Sequence, residues 1–270
     1  MSGKRVFFYT LVKEKKMHAL NHVHEIPLGN VKAFIIDGEK TVLVDTGIKP
    51  VHPDVMDFFN KTGVEFGDEK ELAFLKRGSF QFIMDYIEGN GFTIDTIICT
   101  HFHNDHTGSL KQLKQSLHAP VAMHPLDIPF VEGKKEPPPS AVMPPELARH
   151  FKSDPCPVEI TLDDNQMFTS DIQVIHLEGH TKGNLCLLFK QEVLLAGDSL
   201  MGKDERNPFL GPNEINPPMP SAGMDQETAL KNLKKLLAYP FEIILPSHGD
   251  LVKENAKEKL KKFIEENSDT

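Results

Sequence analysis

The stretch Thr100-His101-Phe102-His103-Asn104-Asp105-His106-Thr107-Gly108 constrains this chain more than any other. Four potential metal ligands fall within six positions, directly after the apolar run Thr96-Ile97-Ile98-Cys99. A packed core has no use for three imidazoles and a carboxylate there, because burying them without partners costs several kcal/mol. Either a metal ion gathers them or they form a solvated loop.

The other strand-like runs decide between the two. Ile172-Gln173-Val174-Ile175 leads to Gly179-His180-Thr181-Lys182-Gly183. Val193-Leu194-Leu195-Ala196 ends in Gly197-Asp198, and Ile243-Ile244-Leu245 ends in Pro246-Ser247-His248-Gly249. Each is an apolar strand followed by a ligand-type side chain among small residues, which is where layered α/β proteins gather their sites. The candidate set is His101, His103, Asp105, His106, His180, Asp198 and His248. Seven ligands exceed one tetrahedral zinc and suit two cations sharing a carboxylate. In an extended loop His101 and His103 point the same way and can pinch one ion. Asp105 and His106 swing toward a second position as the chain turns into a helix.

Around these motifs the chain reads as an α/β protein. Val6–Val12, 31–36 and 41–44 are strand-like, and Asp37-Gly38 signals a hairpin turn between the latter two. Ser79 is the expected cap of a helix that presents Phe82, Ile83, Tyr86 and Ile87 on one face and ends at Gly89. Leu110, Leu113 and Leu117 mark a helix over 108–117, and Leu230, Leu233, Leu236 and Leu237 another over 225–238. A final helix over about 250–266 buries Leu260, Phe263 and Ile264. Strands are expected at 121–123, 158–161, 172–176, 184–189, 192–196 and 242–245. Proline-rich segments at 129–157 and 202–222 interrupt the pattern, the first carrying a short helix near 146–151.

Composition narrows the function classes. A net charge of −9 argues against sequence-independent binding to nucleic acid, which needs a basic face. No stretch approaches the roughly 18 apolar residues of a membrane span. Three cysteines at wide spacing (Cys99, Cys156, Cys186) read as buried thiols and favour a reducing compartment, the cytoplasm. His118 and His124 read as surface or satisfied core residues, and His176 is set aside. His18, His22 and His24 read as a polar strand edge, not an accessory metal site.

His-x-His-x-Asp-His, followed in order by Gly-His-Thr, Gly-Asp and Ser-His-Gly after strands, resembles the metallo-β-lactamase superfamily of hydrolases. The match runs from Asp45-Thr46-Gly47 to His248, about three quarters of the chain. The resemblance implies an αββα sandwich, two mixed β-sheets flanked by helices, as a single domain over 1–270 with peripheral insertions at about 48–91 and 129–157. It further implies a dinuclear site at one edge of the sheets. One ion would take His101, His103 and His180, and the second Asp105, His106 and His248. Asp198 would bridge them, and Asp45 would support the site from behind.

No cysteine stands at a ligand position, unlike several lactam-cleaving members. The lactonase members carry a tyrosine shortly after the bridging aspartate, where this chain has Ser199-Leu200-Met201-Gly202. Gly197-Asp198-Ser199-Leu200 is nearer to the glyoxalase II phrase. The resemblance thus implies hydrolysis of an ester, thioester or lactone of a small molecule by a metal-bridging hydroxide, with Asp105 catalytic as the proton shuttle. Zinc is the expected metal, iron or manganese the alternatives. A second copy of the chain is the one macromolecular partner entertained, as a homodimer. The competing readings are an iron redox enzyme like the persulfide dioxygenases and a non-catalytic metal-binding protein on the same fold.

Overall fold

The computed structural model describes residues 19–62, 69–139, 144–204, 212–218, 220–221 and 224–267. The strand-like run Val6–Val12, His18, and Met143 and Met219 of the proline-rich segments lie outside them.

Strands that are apolar on both faces need cover on both sides, and here they stack into two sheets. The first runs β1 (Val23–Leu28), β2 (Val31–Asp37), β3 (Thr41–Val44), β4 (Thr96–Ile98), β5 (Val121–Met123) and β6 (Ile160–Thr161), in that spatial order. The hairpin expected at Asp37-Gly38 joins β2 to β3 antiparallel, with Phe34 opposite Val44 and Asp37 opposite Thr41. From β3 onward the pairing is parallel, Val44 opposite Ile98. The second sheet is formed by β7 (Ile172–His176), β8 (Leu185–Phe189), β9 (Val193–Gly197) and β12 (Ile243–Pro246), in the order β12-β9-β8-β7. Its β12–β9 pair is parallel and its other pairs antiparallel, so both sheets are mixed. A small ladder pairs β10 (Met201–Gly202) with β11 (Ile215–Asn216).

The period-2 alternation of side chains sorts the apolar residues into three layers. Phe34, Ile36, Val42 and Val44 of the first sheet pack against Leu185, Leu187, Phe189 and Val193 of the second. On the outer face of the first sheet, Ile35, Leu43 and Ile97 meet Ile83 and Ile87 of the helix Phe80–Asn90 and Leu110 and Leu113 of the helix Leu110–Leu117. On the outer face of the second, Leu188, Leu194 and Ile244 meet Leu233, Leu236, and Leu260, Phe263 and Ile264 of the helix Ala256–Glu266. Each such side chain withdrawn from water contributes about 1.5–3 kcal/mol. Helix, sheet, sheet, helix is the layer order, the αββα sandwich anticipated from the motifs.

The structure departs from the sequence reading at several places. Residues 48–91 are not peripheral throughout, because Phe74, Ile83 and Ile87 all enter the core under the first sheet. Ser79 does not cap the helix that follows it. Its hydroxyl accepts the Ile48 N–H at 2.8 Å instead, tying that helix to the loop after β3. The helix runs past Gly89 to end at Gly91, whose left-handed φ of 72° lets its N–H reach back to the last turn. The C-terminal helix begins at Ala256, not near 250, and the helix over 226–232 tightens into a 3-10 turn over Leu233–Ala238.

Candidate metal centre

All seven candidate residues lie just beyond the C-terminal ends of β4, β7, β9 and β12. They meet at one edge of the sandwich, where parallel strands deliver their loops to the same side. His101, His103 and His180 form one group, and Asp105, His106, Asp198 and His248 form another, each with its ligand atoms within 4.8 Å of one another. His103 is the extended residue before a single helical turn, Asn104–Thr107. That turn carries Asp105 and His106 away from the first group and into the second.

Neighbouring loops hold this arrangement. Asp45, which follows β3, adopts φ 62°, a left-handed conformation that aspartate tolerates better than most residues. The bend returns its carboxylate beneath the cluster, where it accepts the Thr100 N–H at 2.8 Å and lies 2.8 Å from His106 Nδ1. Thr46 donates both its N–H (2.7 Å) and its hydroxyl (2.8 Å) to the His106 carbonyl. His248 Nδ1 lies 2.6 Å from the Asn30 carbonyl, linking the second group to the β1–β2 turn. Gly179 brings the His180 loop against the helix Gln226–Asn232 so closely that a Cβ on it would stand 2.3 Å from Ala229 Cα.

The ring nitrogens facing inward are the informative atoms. His101 Nε2, His106 Nε2, His248 Nε2 and Asp198 Oδ1 are buried and have no hydrogen-bond partner among the described residues. In a native interior such orphans call for an explanation. Asp198 Oδ1 lies 3.4 Å from His106 Nε2, while Asp198 Oδ2 lies 3.3 Å from His180 Nε2 and 3.4 Å from His248 Nε2. His248 Nε2 is 3.3 Å from Asp105 Oδ2. Two atoms each about 2.1 Å from one tetrahedral ion stand about 3.4 Å apart, so these spacings suit common coordination. The donor set therefore fits two divalent cations, with Asp198 placed between the groups.

Electrostatics separate the two groups. Burial drives His101 well below the usual imidazole range, helped by His106, His103 and His180, and it drives His180 down to about 3. These are neutral imidazoles with lone pairs available. In the second group burial also disfavours charge, yet Asp198 and Asp105 outweigh it and raise His106 well above its usual range and His248 to about 10. Burial similarly opposes ionisation of Asp198 and Asp105, and the facing imidazoles more than reverse it. A cation and protons therefore compete for the same lone pairs in the second group.

Among the described residues the other histidines do not join the centre. His52, Asp54 and His150 come together at the surface. Their two rings stack with centroids 3.8 Å apart and planes 13° from parallel, so the in-plane lone pairs run side by side and do not converge. His176 stacks on His124 in the same manner at 4.0 Å, and His24 sits edge-on to Phe92. Asn184, next to the His180 loop, is buried and donates to the Leu177 carbonyl and Ser199 Oγ, a structural role. Sequence reasoning missed Thr100 and Asp127, whose hydrogen bonds carry the ligand loops. Only their proximity in space reveals them.

Comparison with known proteins agrees with this geometry. A family profile described as the metallo-beta-lactamase superfamily matches residues 26–248. A probable metallo-hydrolase of Bacillus subtilis, YflN, is 29% identical over 176 residues, covering 60% of this chain and 66% of its own length. A hydroxyacylglutathione hydrolase of Shewanella baltica is 28% identical over 123 residues, 46% of this chain and 40% of its own. The chain thus spans less than two thirds of the length of these relatives. Among solved structures, a metallo-beta-lactamase family protein from Thermus thermophilus aligns with a TM-score of 0.63 at 16% identity, covering 92% of this chain and 80% of its own. TTHA1623, solved in a di-iron-bound form, aligns with a TM-score of 0.54 at 24% identity, covering 87% and 96%. Among the described residues no helix is long and apolar enough to cross a membrane. With the sandwich, the ordered motifs and a profile match across most of its length, the chain belongs to the metallo-beta-lactamase superfamily.

Proposed function

We propose that this protein is a hydrolase working with two divalent cations, zinc in the first instance, to cleave an ester, thioester or lactone of a small molecule. His101, His103 and His180 would hold one cation and Asp105, His106 and His248 the other, with Asp198 available to both. The observation that carries this reading is the set of four buried ligand atoms, one in the first group and three in the second, that have no hydrogen-bond partner among the described residues. The names of the relatives support it: a probable metallo-hydrolase, a hydroxyacylglutathione hydrolase and a protein crystallised with two irons.

When bound, such a cation pair lowers the pKa of water toward about 7 and draws charge from an acyl oxygen. Asp105 then takes the proton work. Its side chain is 31% exposed against 4% for Asp198, so it is the carboxylate that substrate and solvent reach. It accepts the proton of the attacking water and returns it to the leaving group. Asp198 and the five histidines stay in place, buried or half-buried, and keep competing water from the ligand atoms. The three cysteines, all buried free thiols, support the cytoplasm as the compartment.

The test combines metal analysis with turnover. Two ions per chain, and chelator-sensitive hydrolysis of one of the three substrate types that Asp198→Ala abolishes, are expected. Metal-replete protein inactive on all three types would sink the reading, and a single iron per chain would favour redox chemistry instead.

A further inference from the structure

We propose that Asp127 is a positioning residue for the His101–His103–His180 group, a buried carboxylate that clamps the loop after β4 to the loop after β7. The proposal rests on the two-cation reading for its purpose, but its geometry stands independently. Asp127 is fully buried. Its Oδ2 accepts the Phe102 N–H at 3.1 Å and the Thr181 hydroxyl at 2.7 Å, and its Oδ1 accepts the Gly183 N–H at 2.9 Å. Phe102 lies between His101 and His103, and Thr181 directly follows His180. A single carboxylate thereby joins the two chain segments whose imidazoles must meet.

The commonplace role for an aspartate at this position would be to cap the helix Ile128–Val131 that it precedes. It makes no such cap. The side chain turns inward, and the turn that aims it is held by the Asp127 N–H donating to the His124 carbonyl at 3.0 Å. Gly183 is shaped to receive it, since a Cβ there would stand 2.7 Å from Asp127 Cγ and Oδ1. Burial pushes the carboxyl up to about 6, and the bonds from Thr181, Gly183 and Phe102 oppose it by favouring the ionised form. An ionised carboxylate presents acceptors only, which is what three converging donors require.

The division of labour with Asp45 is spatial. Asp45 contacts His106 of the second group directly. Asp127 makes no hydrogen bond to a ligand side chain among the described residues, and bonds to backbone and hydroxyl beside the first group. Asp127→Asn keeps size and shape but turns an N–H₂ toward one of the three donors, loosening the clamp without emptying the space.

The test uses Co²⁺ as probe on metal-stripped full-length protein, following visible absorption through the two binding steps. His180→Ala identifies the step belonging to the first group, and His248→Ala the step belonging to the second. Asp127→Asn is expected to weaken the first-group step by ~10–100-fold and to leave the other within about threefold. The clamp is overturned if both steps stay unchanged, if both weaken equally, or if only the melting temperature of the metal-free protein moves. If wild type binds a single Co²⁺, the two-cation reading falls. The clamp then stands if Asp127→Asn weakens that ion and falls if it does not. No Co²⁺ binding in wild type overturns both.

Discussion

Asp45 Oδ2 lies 2.8 Å from His106 Nδ1, and both side chains are completely buried. The Thr100 hydroxyl donates to the same oxygen at 2.8 Å. A carboxylate on Nδ1 holds a ring proton there and leaves Nε2, 3.4 Å from Asp198 Oδ1, as the nitrogen for which a cation and a proton compete. Asp45→Asn, which tolerates the left-handed backbone, is expected to weaken metal binding by ~10–100-fold in equilibrium titration. Asp45→Ala also strips a buried partner from His106, with a loss of about 3 kcal/mol by denaturant unfolding.

Removing metal exposes the proton competition in the second group. His248 is raised to about 10 in the folded protein against an unfolded value near 6.5, and His106 shifts the same way. A raised pKa contributes stability that is complete below the unfolded value and is lost as pH climbs through the folded one. The metal-free protein should therefore melt at progressively lower temperature from pH 7 to 10. Metal-loaded protein, its protons displaced, should not. Melting curves with and without chelator across this range check it, and parallel curves would contradict it.

Loading with metal should stabilise the fold by mass action. Free metal at a hundredfold excess over its Kd adds about 2.7 kcal/mol per site when the unfolded chain does not bind. His101→Ala and His248→Ala should each lose one site's share of that gain in thermal unfolding titrations.

Gly179→Ala tests the support of His180. The added Cβ would lie 2.3 Å from Ala229 Cα, a backbone position that yields only if a loop moves. The His180 side moves more readily than a helix, so turnover should fall by ~100-fold for a displacement near 1 Å. Steady-state kinetics together with metal content will read it, and wild-type values for both would refute it.

Leu187 sits between the sheets, fully buried. Leu187→Ala should cost about 2–5 kcal/mol in urea unfolding. Lys111→Ala, on the exposed side of the helix Leu110–Leu117, should stay within about 0.5 kcal/mol.

The candidate site was legible early because ligand chemistry is conspicuous at strand ends. An acid or histidine that interrupts an apolar run has no packing explanation, and four strands ending that way imply a common purpose. Asp127 carried no such mark. In sequence, His124-Pro125-Leu126-Asp127 is an ordinary turn before a short helix. Its partners are 25, 54 and 56 positions away, and no local pattern encodes contacts at that range. Ser79 erred in the opposite direction. Its place before a helix predicted a cap, but tertiary contact offered its hydroxyl the Ile48 N–H instead.

By itself the sequence determined the layered α/β class, the β2–β3 hairpin, most later strands and the seven candidate ligands, since periodicity and residue chemistry are local properties. Only the tertiary structure decided that Phe74 of the supposedly peripheral 48–91 segment belongs to the core, and that the Asp127 carboxylate joins the loops after β4 and β7. Those assignments depend on which distant surfaces meet, and that is settled by the packing of two sheets whose faces are both apolar.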